Sequence, residues 1–83
     1  MMCPLLKFTN QTTYPVISVE EDDRTVVRDL LRGETSPYQV FSAGSVTVIV
    51  RQQTQTPFLN LLLPLAPDST GTLVIHDEGA YFS

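Results

Sequence analysis

A single cysteine, a single histidine and no tryptophan deprive this chain of much of the chemistry that small domains commonly use. With Cys3 alone, no disulfide can form within the chain, and small secreted folds often depend on one. Cys3 and His76 are the only cysteine and histidine, and structural zinc needs three or four such ligands. Only five residues are basic, Lys7, Arg24, Arg28, Arg32 and Arg51, and they are scattered. Nine are acidic, and the net charge is −4. Neutralising a phosphate backbone or an anionic lipid surface requires clustered cations, so nucleic acid and acidic membranes are not expected partners. No apolar run approaches the roughly 18 residues of a membrane span. Met1 to Lys7 has neither a basic start nor a long apolar stretch, so no secretion signal is visible and the cytoplasm is the default expectation.

What the chain does contain is aliphatic and β-branched. Of its 83 residues 42% are hydrophobic and 17% charged, an ordinary globular balance, and the length suits one domain spanning 1–83. Helix signals are weak: the stretch from Val26 to Leu31 is short and runs into Gly33. Strand signals instead recur every eight to twelve residues. Leu6 and Phe8 alternate with Lys7 and Thr9. Ile17 and Val19 alternate with Ser18 and Glu20, and Asp22-Asp23 turns the chain into a returning strand from Arg24 to Leu31. A short strand follows from Tyr38 to Phe41, and Gly44 is expected to make a hairpin. Val46, Val48 and Val50 then give the clearest alternation in the chain. Phe58 to Leu65 and Thr72 to His76 complete a small antiparallel β-sandwich of about seven strands, with a tail that docks through Tyr81 and Phe82.

Gly33-Glu34-Thr35-Ser36-Pro37-Tyr38, then Ser42-Ala43-Gly44 and the valine-rich strand, resemble domain of unknown function family 4397, from Lys7 to about Ile75. The resemblance implies an immunoglobulin-like or transthyretin-like sandwich, bacterial or archaeal, often at the cell envelope, with carbohydrate as one conceivable ligand. Where the family commonly has a His-Ala-Ser-Pro-like segment, this chain has Thr9-Asn10-Gln11-Thr12.

Chemistry is sparse. His76 and Asp77 formally allow a serine-type triad, yet no strained nucleophile turn accompanies them, so no catalytic residue and no cofactor is expected. Glu20-Glu21-Asp22-Asp23, helped by Asp77 and Glu78, offers hard oxygen ligands for calcium, though without EF-hand spacing. The plainer account is a solvated hairpin tip. Asn10-Gln11-Thr12 fits a glycosylation acceptor pattern. Tyr14, Tyr38 and Tyr81 are candidates for an aromatic sugar platform, although Tyr38 reads better as a core ring.

The segment from Phe58 to Leu65 is apolar on both faces except at Asn60. In a two-layer sandwich one of those faces needs a cover, either the Tyr81-Phe82 tail or a second chain. The expectation is a non-catalytic structural or protein-interaction module, self-associating or partner-binding, with Phe58, Leu62, Tyr81 and Phe82 as interaction residues. A carbohydrate- or envelope-binding domain is the alternative.

Overall fold

The computed structural model describes residues 3–83, which form eight strands: β1 Leu5–Asn10, β2 Val16–Glu21, β3 Arg24–Leu31, β4 Gln39–Val40, β5 Gly44–Gln52, β6 Pro57–Leu65, β7 Thr70–His76 and β8 Gly79–Phe82. They make two four-stranded sheets. Sheet A has the order β4-β1-β7-β8, and sheet B the order β3-β2-β5-β6. The expected sandwich is therefore present, with the aromatic tail as its eighth strand. No helix among the described residues is long and apolar enough to cross a membrane.

Alternation dictates the interior. Leu6 and Phe8 of β1, Ile17 and Val19 of β2, Val46, Val48 and Val50 of β5, and Leu73 and Ile75 of β7 are all buried between the sheets. Val27, Leu30, Phe41, Leu59, Leu63 and Leu65 complete the core. The hairpins β2–β3, β5–β6 and β7–β8 each stay within one sheet, and the remaining connections cross between sheets.

Three local expectations are corrected. The β1–β7 pairing is parallel, from Leu5↔Thr70 to Asn10↔Ile75, so sheet A is mixed rather than antiparallel. Gly44 does not make a hairpin. Its φ of +108° serves a crossing from β4 in sheet A to β5 in sheet B, a backbone conformation that favours glycine. Tyr38 is not a core ring: it is 47% exposed, and Phe41 takes the core position instead, with its ring 5.9 Å from that of Phe8. Strand β4 covers two residues, and Tyr38 and Val40 share its outward face, which sends Phe41 inward.

The Ser36-Pro37 motif has a structural task. Ser36 is buried, and its hydroxyl accepts from the Phe8 N–H at 3.0 Å while its own N–H donates to the Phe8 carbonyl at 2.8 Å. It thereby satisfies the edge of β1 beyond the end of β4.

Candidate functional site

Asp77 sits in the β7–β8 turn and accepts two hydrogen bonds from Thr13, from its N–H at 2.7 Å and from its hydroxyl at 2.6 Å. The hydroxyl bond, then the backbone bond, holds the exposed carboxyl below its ordinary value of 3.8. The hydroxyl here binds the carboxylate directly. His76 instead stacks on Tyr81, centroids 5.2 Å apart and rings 17° from parallel. A nucleophile–imidazole–carboxylate relay needs the imidazole in the middle, and these residues are not arranged so.

The four acids of the β2–β3 hairpin do not converge. Glu20 points to the outer face of sheet B and pairs with Arg51 at 2.6 Å. Glu21 points inward, is buried, and pairs with Arg24 at 2.9 Å. Asp22 and Asp23 occupy the turn with φ of 48° and 66°, the two positive values of a type I′ hairpin. Among the described residues no three His, Cys, Asp or Glu side chains are grouped as a metal site. Beside the Glu20–Arg51 pair lies an open polar furrow of about 290 Å³, with Ser18, Arg28 and Asp29 in its walls. The Asn10 side chain is fully buried and its amide donates to the carbonyls of Leu30 (3.0 Å) and Tyr14 (3.4 Å). A glycan on that nitrogen is incompatible with this fold.

The four expected interaction residues separate. Leu62 is on the outer face of sheet B and 69% exposed. Phe82 follows the inward phase of β8 at the opposite sheet's edge and shares an open groove with Pro64, Leu65 and Gly71. Phe58 is partly buried beneath Tyr14, centroids 4.5 Å apart. Tyr81 turns to the outer face of sheet A. Since β8 pairs with β7, the tail does not cover Leu62, and that explanation for the doubly apolar strand is removed.

The surface that sequence reasoning missed is the outer face of sheet A. Register places Val40 beside Leu5, Lys7 beside Thr72, and Thr9 in a row with Val74 and Tyr81. Tyr38 joins them, with the Lys7 ammonium 5.0 Å from its ring centroid. The strands of sheet A contain no aspartate or glutamate, and every acidic residue of this acidic chain lies in sheet B or a connection. Depletion of charge with exposed tyrosine is the composition of an interface centre. The signal was present in the sequence as acid-free strands. It became visible only when the topology put segments 5–10, 39–40, 70–76 and 79–82 side by side.

No protein-family model matches this chain, and no curated protein matches it in sequence.

Proposed function

We propose that this protein is a non-catalytic interaction module that associates through apolar side chains displayed outside its core, with a second copy of itself as the partner. One observation carries the reading. With the core filled, Leu31, Tyr38, Val40, Leu62, Tyr81 and Phe82 remain between 47% and 69% exposed. Single exposed apolar residues are ordinary, but six in so small a chain leave considerable apolar surface in water. All four sheet edges are blunted: β4 spans two residues, β8 is short, β3 carries a bulge, and β6 begins at Pro57 and has Pro64 near its end. Proline lacks the N–H that a docking strand would use, so side-chain contact is favoured over strand addition. Sedimentation velocity from low micromolar to near-millimolar protein should show a reversible rise in mass. A monomer across that range would remove the reading.

A carbohydrate-binding role has one observation in its favour, the exposed tyrosines Tyr38 and Tyr81 on the outer side of one sheet. Against it, each ring already has a partner, Lys7 or His76. Absence of any hit on a glycan array would eliminate this alternative.

A further inference from the structure

We infer that two copies of this chain pair through the outer faces of sheet A, about a two-fold axis running along the strands. The inference rests on the self-association reading and names its surface and geometry.

Charge selects the face. Each copy carries −4, so two copies repel over most approaches. Sheet A is where they can meet without carboxylates in between, because Glu20, Glu21 and Asp29 belong to sheet B and the other acids to connections. Asp77, Glu78 and Asp68 lie in the turns that flank β7, at the ends of the face rather than on it. The outer face of sheet B offers Leu62, but it also carries Glu20, Arg51 and the polar furrow, whose desolvation would be unfavourable.

Area permits only a weak dimer. Its strands β4, β1, β7 and β8 are 2, 6, 7 and 4 residues long, and at about 4.8 Å spacing and about 3.3 Å per residue they present on the order of 300 Å² per copy before side-chain relief. Two such faces reach about 600 Å², below the range of stable specific interfaces, so the contact is a weak and concentration-dependent one.

Lys7 selects the axis. It is the one Lys or Arg on the face, and its ammonium lies over Tyr38 on the β4 side. An axis running across the strands would lay β1 on β1 of the second copy and bring two ammonium groups together. An axis along the strands lays β1 on β7 and β4 on β8 of the second copy. Each Lys7 then faces the threonine side of the sheet, and the Tyr38 edge meets the Tyr81 edge twice, as an isologous interface requires.

The test uses the full chain. Tyr81→Asp and Val40→Asp, at exposed positions on opposite edges, should each weaken dimerisation about tenfold or more, while Leu62→Asp changes it less than about twofold. The reverse pattern would overturn this inference and leave the self-association reading standing. A wild-type monomer throughout would overturn both. A second measurement is independent of aspartate effects on folding. In a Cys3→Ser background, Tyr38→Cys mixed with Tyr81→Cys should be joined by a short bismaleimide faster than either variant alone. Equally fast crosslinking of Tyr38→Cys by itself would overturn the axis.

Discussion

Asn10 shows how one polar side chain can organise the end of a strand. It shares the inward phase of Leu6 and Phe8, so its burial was legible from alternation even though its role was not. Its oxygen accepts from the Thr12 N–H (3.0 Å) and hydroxyl (2.6 Å), and its amide ties the carbonyl of Leu30 from the other sheet. Asn10→Ala strands several buried groups and should cost about 3 kcal/mol, lowering the melting temperature by more than about 10 °C. A loss below about 1 kcal/mol in urea denaturation would refute this account. Tyr38 was less legible, because a two-residue strand gives alternation too little length to fix a phase. Asp77 makes a pH prediction. Its carboxyl, depressed chiefly by the Thr13 hydroxyl, contributes stability above its ordinary value of 3.8, and that contribution is lost as pH falls through the lower folded-state value. Wild type should therefore exceed Asp77→Asn in stability at neutral pH and converge with it in strong acid. A gap that persists in acid would show that the carboxylate charge is not the cause.

At the scale of elements, the alternations expected around Leu6–Phe8 and Ile17–Val19 are those of β1 and β2, and the span of β3 coincides with the expected Arg24 to Leu31 because the Asp22-Asp23 turn fixes its start. Beyond the β2–β3 hairpin, strand neighbours were not legible, because alternation says which face is buried and nothing about which strand lies alongside. The parallel β1–β7 pair therefore came as new information. Strand β3 holds another feature hidden from the pattern. Val27 pairs with Val19 and Leu30 with Ile17, so Arg28 and Asp29 both oppose Ser18 in a bulge. Asp29 has φ of 55°, and its N–H reaches the Ser18 hydroxyl at 3.4 Å. Left-handed backbone is open to glycine, tolerable for aspartate and poor for a β-branched residue. Asp29→Gly should be neutral or stabilising by up to about 1 kcal/mol, whereas Asp29→Val should cost about 2 kcal/mol. Equal thermal stabilities for the two variants would show that the bulge is dispensable.

Over the whole molecule, one sheet is acid-free while the other and the connections hold every carboxylate, and this separation determines how association must respond to salt. Two copies with net charge −4 repel at long range, and salt shortens that repulsion to a Debye length of about 8 Å near physiological strength. If the contact is made by Tyr38, Val40, Tyr81 and their neighbours, it contains no intermolecular ion pair for salt to weaken. Screening then acts on the repulsion alone, and dimerisation should tighten several-fold between low and physiological salt, levelling off once the repulsion is screened. A contact that placed the basic side chains of one copy against the acidic hairpin Glu20–Asp23 of another would weaken over the same range. Sedimentation equilibrium at both salt concentrations separates the two by sign. Weakening would move the association off the face of sheet A, to sheet B or the connections, because only there do carboxylates exist to be screened.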